Sequence, residues 1–379
     1  MPAPTVYFTG PREVEVRETP VADPGPGEVA VDATVSAISS GTELLLYRGE
    51  VDRELAADET LDPLSGSFEY PFPYGYATVG TVRAVGQNVD PAWAGETVIA
   101  FHPHAGDFAV AVDAVSRVPD GIDPETAVFL PNVETAVTLA LDGEPAVGER
   151  VVVVGQGVVG LLTTAVLAGF PLSELVTTEY RPFRRERSTA MGADRSLHPE
   201  TVDPPTLFAS SDAGSGADRV DATGAVSPEA SPEPPSAADD SDAGADGAGA
   251  DDGSGPTRAD LTYELSGNPA ALDGAVDLTG YGGRVVVGSW YGTKPTELSL
   301  DGRFHRSRIE LRASQVSTLA PERRGRWTVD RRLATAWRRL RTIGTERLIT
   351  HRFPVAEAPA AYDLLDREPD ETLQVLLTY

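Results

Sequence analysis

Apolar and polar residues alternate in short runs through the first part of the chain: EVAVDATV at 28–35, YATVGTVRAV at 76–85, ETVIAF at 96–101 and DFAVAV at 107–112. A period of two, punctuated by Gly and Pro, predicts half-buried strands and together an all-β, partly barrel-like unit. From about Pro124 the period changes. PETAVFLPNVETAVTLAL predicts a helix or helix pair, with Asp123 as N-cap ahead of Pro124. ERVVVV, ELVTTEY, DLTYELSG and GGRVVVGSW then follow as near-continuous apolar runs, of the kind buried in a parallel sheet with helical stretches between. After Trp290 come mixed structure, an Arg-rich helix (VDRRLATAWRRLRTIG) and a closing strand (TLQVLLTY).

One window breaks the pattern. Residues 209–260 contain no Leu, Ile, Met or aromatic residue, and twelve acidic residues face two arginines. Such a stretch cannot bury enough apolar surface to offset its ordering entropy, so it is expected to be a disordered, acidic insertion. The 379 residues around and including it suggest two domains.

Composition narrows the function classes. A net charge of −27, with Lys294 the single lysine among 31 basic residues, repels nucleic acid and anionic membranes. Acid-rich, lysine-poor chains resemble halophilic proteins, whose salt screens the self-repulsion. The absence of cysteine excludes disulfides and thiolate-ligated zinc or iron–sulfur sites. No apolar run is long enough to span a membrane, and MPAPTVYFTGPREVEV lacks the features of a secretory signal, so a cytoplasmic protein is expected.

The strongest motif is VVVVGQGVVG, a buried strand running through Gly155, Gly157 and Gly160 into an apolar helix headed by Val158 and Val159. The glycines allow a tight turn, a close approach to a pyrophosphate and close helix–strand packing. Glu179, at the end of the next strand, is placed to accept ribose hydroxyls, which favours NAD. Arg181 or Arg184, just beyond it, can pair with a 2′-phosphate, so NADP stays open.

In this order, a β-rich unit, a Rossmann unit and a C-terminal return resemble the medium-chain dehydrogenase/reductase superfamily, the fold of zinc alcohol dehydrogenases. The landmarks are AISSGTE, PFPYGYATVGTVRAVG, ETVIAF, VVVVGQGVVG, ELSGNPAAL and GRVVVGSWYG, and the likeness covers nearly the whole chain except the insertion. It implies an α/β protein: a GroES-like catalytic unit at 1–140, a Rossmann unit at 141–295 holding the 209–260 insertion, and a return at 296–379 that completes both. It also implies NAD or NADP as cofactor, contacts from Thr135, Ser266, Gly288 and Ser289 to that cofactor, and a homodimer paired edge to edge, for which GGRVVVGSW followed by TKPTELSL offers an edge.

The metal apparatus departs from that family. Zinc members read Cys-Gly-Thr-Asp where this chain reads Ser40-Gly41-Thr42-Glu43, and the segment corresponding to their Gly-His-Glu reads Gly75-Tyr76-Ala77. The four-cysteine lobe is missing. The sequence resembles the zinc-lacking branch that includes bacteriochlorophyllide dehydrogenase-like proteins, so zinc is not expected. Thr42 corresponds to the family's relay hydroxyl, Tyr76 is a candidate acid, and Glu43 corresponds to an acid that orients its neighbours. His102 is a candidate proton shuttle because imidazole titrates near neutrality. The reading is an NAD(P)-dependent oxidoreductase acting on an alcohol, a ketone or an activated C=C. Its rivals are a dinucleotide-binding protein without chemistry, and a zinc enzyme with a site relocated to His102, His104 and Glu43 or Glu134.

Overall fold

A computed structural model describes residues 2–52, 68–209 and 257–379. Most of the expected 209–260 insertion therefore lies outside the described residues. Its expected end is displaced: Ala259 and Asp260 already belong to the strand Ala259–Glu264.

The apolar runs assemble into a six-stranded parallel sheet. Its spatial order is Arg195–Leu197, Glu174–Thr178, Arg150–Val154, Ala259–Glu264, Thr279–Val287 and Glu310–Ala313. Numbered along the chain this is 3-2-1-4-5-6, the doubly wound order. Its direction reverses between Arg150–Val154 and Ala259–Glu264, where such sheets open a binding crevice. All five residues of Arg150–Val154 are buried, which explains why this strand shows no alternation. GGRVVVGSW proves to be an inner strand. The edge is Glu310–Ala313, too polar to read as a strand from its sequence and mostly exposed here.

The alternating runs form a second sheet, ordered Ile349–Pro354, Gln374–Thr378, Glu28–Ile38, Thr78–Val85, Thr97–Ala100 and Val115–Arg117, with Asp107–Ala111 also paired to Glu28–Asp32. The closing strand thus returns to the β-rich unit, antiparallel to the strand that leads into AISSGTE. A small sheet of Pro2–Gly10, Glu13–Pro20 and Phe72–Pro73 flanks it.

The helix pair expected after Asp123 forms as Pro124–Ala127 and Leu130–Gly143, and the Asp123 carboxylate accepts the Thr126 N–H at 3.0 Å. Leu130–Gly143 joins the two units, for its core includes Val35, Ala37, Ala77 and Val79 of the β-rich sheet and Leu161 and Leu162 of the Rossmann helix. The Arg-rich helix, Val329–Leu340, packs on it by burying Ala336, Trp337 and Leu340 at helical spacing. Arg332 is the exception among its arginines: it is buried and pairs with the buried Glu134 at 3.0 Å. Burial raises the Glu134 pKa, and Arg332 opposes that rise. Arg332→Met strands the carboxylate and is expected to cost about 3–5 kcal/mol in denaturant unfolding. Replacing Glu134 and Arg332 together by apolar residues should recover most of that loss.

Candidate functional site

Gly155 ends the first Rossmann strand with φ +88°, and a Cβ there would lie 2.5 Å from Ser266 Cα. A Cβ on Gly160 would lie 2.1 Å from the Gly155 carbonyl, so the helix Val158–Leu167 sits on the turn only because both are glycine. Gly157, the N-cap of that helix, differs: a Cβ there meets nothing within 4 Å. The first amides of the helix, including those of Val158 and Val159, head a turn whose outer face is open. That cradle fits a dinucleotide's pyrophosphate.

Glu179 is buried beside this turn and accepts two backbone amides, Gln156 N–H and Arg181 N–H, each at 3.0 Å. Arg181 is also held by Asp370 at 3.0 Å, and Arg184 donates to the carbonyls of Pro369 and Thr372. The arginines that could meet a 2′-phosphate are therefore tied to the 368–372 loop, a contact between units distant in sequence. On the other wall, Ser266 donates its amide to the buried Glu264 at 2.8 Å, and the Tyr291 hydroxyl donates to the same carboxylate. Burial, then Glu264, raise the Tyr291 pKa strongly. Ser289 Oγ accepts Gly267 N–H at 2.9 Å, and a Cβ on Gly288 would meet Leu265 and Leu139 below 3 Å. Thr135 donates its hydroxyl to the Pro131 carbonyl one turn back, at 2.9 Å. Nothing in the sequence marks Gln156, Glu264 or Asp370, because only folding brings them to the glycine turn.

The strand Glu28–Ile38 empties into Ser39, and Glu43 opens the short helix Glu43–Arg48. Tyr76 reaches across and donates its hydroxyl to Ser39 Oγ, and Thr42 lies near enough to act on the phenol's pKa. Burial and the charge of Glu43 push the Tyr76 pKa up to about 12, while the hydrogen bonds to Ser39 and Thr42 pull the other way. The phenol therefore stays protonated at ordinary pH and can donate. Ser39, rather than Ser40, is the serine in contact with Tyr76; the sequence drew attention to Ser40 through its alignment with a cysteine.

Of the two histidines after the strand, His102 stacks on Phe108 with ring centroids 3.8 Å apart and places Nδ1 2.8 Å from the Pro103 carbonyl. Burial pushes its pKa down to about 4, the Pro103 carbonyl opposes this, and His104 adds to it. His104 is fully buried, with Nε2 3.0 Å from Glu43 and Nδ1 2.7 Å from Ser36 Oγ. The relocated zinc site is not assembled: His104 has both nitrogens engaged, His102 is stacked, and Glu134 faces Arg332. Among the described residues no group of three or more His, Cys, Asp or Glu side chains gathers. With Ser40, Tyr76 and Ala77 at the family's metal position, this donor set does not fit zinc.

The two walls meet around Trp290. Its ring, 39% exposed, lies 6.5 Å from Phe68, and Phe68, Tyr74 and Tyr76 continue as a line of rings with centroids 6.0 and 6.3 Å apart. Thr293 N–H donates to the Glu50 carbonyl at 2.9 Å, tying the strand-end loop of the Rossmann unit to the catalytic unit. The strand-end loop of the Rossmann unit and the catalytic unit thus meet beside this line of rings.

No family model matches the chain. It is 25% identical over 378 residues to 2-desacetyl-2-hydroxyethyl bacteriochlorophyllide A dehydrogenase of Rhodobacter capsulatus, covering 98% of this chain and 96% of that protein. It is 27% identical over 180 residues to L-threonine 3-dehydrogenase of Bacillus subtilis, spanning about half of that enzyme (52%). Its fold superposes on a short chain alcohol dehydrogenase of Escherichia coli complexed with NADH, with TM-score 0.72 and 18% identity over 100% of this chain and 99% of that one. A dehydrogenase from Sinorhizobium meliloti bound to NADP gives TM-score 0.71 at 17% identity, over 100% of both chains. Sheet order, glycine turn and relatives define one class, a two-unit α/β protein of the dehydrogenase type. These similarities agree with the resemblance to the medium-chain dehydrogenase/reductase superfamily drawn from the sequence.

Proposed function

We propose that the protein is an NAD(P)-dependent oxidoreductase that interconverts an alcohol and a ketone, or reduces an activated C=C, with its oxygen chemistry carried by side chains and not by zinc. The observation that carries this reading is the hydrogen bond from Tyr76 to Ser39, with Thr42 beside it, in the segments that by family likeness correspond to the metal ligands of zinc members. The bound nicotinamide supplies or accepts the hydride. The glycine turn holds the pyrophosphate, while Glu179 receives the ribose hydroxyls; Thr135, Ser266, Gly288 and Ser289 line the nicotinamide half. Tyr76 and Thr42 donate to the substrate oxygen as its negative charge develops, and the proton passes from the phenol. His102, neutral at ordinary pH, serves there only as a neutral hydrogen-bond partner. The line of rings from Tyr76 to Trp290 supports an apolar, ring-bearing substrate.

In this reading residues 1–140 carry the chemistry and 141–295 the dinucleotide, with 296–379 completing both. The acidic, lysine-poor composition supports a halophilic, cytoplasmic protein. The outer edge of Glu310–Ala313, unpaired among the described residues, supports a homodimer. Among the described residues no helix is long and apolar enough to cross a membrane. The test is hydride exchange, followed by absorbance of the reduced dinucleotide in multimolar potassium chloride, against a panel of ketones, enones and secondary alcohols. Dinucleotide binding without exchange on the whole panel favours the non-catalytic alternative.

NAD is the favoured dinucleotide. Glu179 presents a carboxylate, and Arg181 is already held by Asp370 and Glu179. NADH is expected to bind about tenfold more tightly than NADPH, the effect of ~1.4 kcal/mol of charge repulsion. In fluorescence titrations Glu179→Ser should narrow that gap, mainly by improving NADPH. Equal affinities in the parent protein would return the choice to NADP.

A further inference from the structure

Behind the loop Ser39–Glu43 lies a chain of buried polar groups that the hydride reaction as described leaves unused. The Tyr379 hydroxyl lies 2.8 Å from Ser36 Oγ, which lies 2.7 Å from His104 Nδ1. His104 Nε2 is 3.0 Å from one Glu43 oxygen, and Ser39 N–H donates to the other at 2.8 Å. Ser36, His104 and Glu43 are fully buried. Burying so many polar groups is costly, and an apolar filling of similar shape is often as stable, so packing alone does not account for them.

The hydrogens can be placed from the contacts. Three donors converge on Glu43: the Tyr362 hydroxyl, the Ser39 amide and His104 Nε2. With Nε2–H given to Glu43, the neutral imidazole accepts at Nδ1, so Ser36 donates to Nδ1 and Tyr379 donates to Ser36. Every hydrogen then points inward, from Tyr379 to Glu43. The Tyr379 hydroxyl is itself buried, which raises its pKa, while the residue as a whole is half-buried and borders a shallow surface groove with Pro4, Ala33, Gly106 and Thr378. The other titratable groups close to this chain are His102, Tyr74 and Tyr76.

We propose that Tyr379, Ser36, His104 and Glu43 form a proton route between solvent and the Tyr76–Ser39–Thr42 cluster. The proposal rests on the reading that the reaction moves a proton at Tyr76. In the reducing direction the phenolic proton goes to the substrate oxygen. His104 gives its Nε2 proton to the Glu43 carboxylate, which passes it on to the Ser39 hydroxyl, and Ser39, by rotation, returns a proton to Tyr76. His104 is resupplied at Nδ1 by Ser36, and Ser36 by Tyr379. One proton enters from solvent per turnover and no electrons move along the route, since the hydride comes from the dinucleotide. His104, Ser36 and Tyr379 act through others and are positioning residues.

The test uses the full chain with Tyr379→Phe, Ser36→Ala and His104→Gln, on whichever panel ketone or enone the parent protein reduces with NADH. Each variant is expected to lower kcat about tenfold at unchanged KM, with a larger solvent deuterium isotope effect. Folded Tyr379→Phe and Ser36→Ala variants with parental kcat and isotope effect would overturn the route and leave the oxidoreductase reading intact. No hydride exchange in the parent would instead sink that reading. The route then still meets a test that needs no turnover, because ¹⁵N spectra of a protein with five histidines, assigned with His104→Gln, should show His104 protonated at Nε2 and bare at Nδ1. The opposite tautomer would overturn the inward order.

Discussion

Gly157→Leu is expected to leave the protein folded and to abolish dinucleotide binding. The two halves of that result come from one measurement on the backbone: a Cβ at Gly157 meets no protein atom within 4 Å. The variant gains no clash, and a leucine at a helix N-cap costs about 1 kcal/mol or less relative to glycine. The side chain instead fills the open face of the turn, where a pyrophosphate must come into contact with backbone amides. Affinity for NADH should fall at least about 100-fold, or about 2.7 kcal/mol. Gly160→Leu is the contrasting variant, since its Cβ would lie 2.1 Å from the Gly155 carbonyl and the helix would have to leave the sheet. Thermal unfolding and NADH titration of the two variants separate the roles. Loss of fold in both would mean that Gly157 is structural, and retained binding in Gly157→Leu would move the dinucleotide elsewhere.

Tyr76→Phe is expected to lower kcat by about 10²–10⁴-fold while leaving NADH affinity unchanged, the usual weight of a positioned acid. The phenol's pKa, pushed up to about 12, sets the pH dependence. A group raised that far remains a donor throughout the neutral range. The parent's kcat should therefore show no loss from phenol ionisation between pH 7 and about pH 10, where an unperturbed tyrosine would begin to ionise. Loss of activity with an apparent pKa near 10 would mean that burial does not hold Tyr76 protonated. An unchanged kcat in Tyr76→Phe would leave Thr42 as the donor and reduce Tyr76 to packing.

The architecture was largely legible in the chain because its signals are local. Period-two runs, the continuous apolar strand before Gly155, and Asp123 ahead of Pro124 each specify their element within a few residues. The Glu310–Ala313 edge escaped because an exposed edge strand buries little and so carries no apolar pattern. The insertion's end was misplaced for a related reason, as Ala259 and Asp260 look polar and small although Ala259 is buried in a strand.

The site was legible only by halves. Glycine spacing marked the dinucleotide turn because the close contacts it relieves lie within the turn or its neighbouring strand end. Thr42, Glu43 and Tyr76 stood out through a family likeness. The sequence could not say that Tyr76 rests on Ser39, or that His104 and not His102 faces Glu43, because those contacts join residues 37 and 61 positions apart. Two histidines at i, i+2 look equivalent in the chain; one is stacked on Phe108 and the other sealed against Glu43 and Ser36. The sequence by itself determined the strands and the dinucleotide turn, since these follow from residue type and short-range spacing. Tertiary structure alone decided which side chains hydrogen-bond to one another, because desolvation and hydrogen-bond partners exist only once distant segments are packed together.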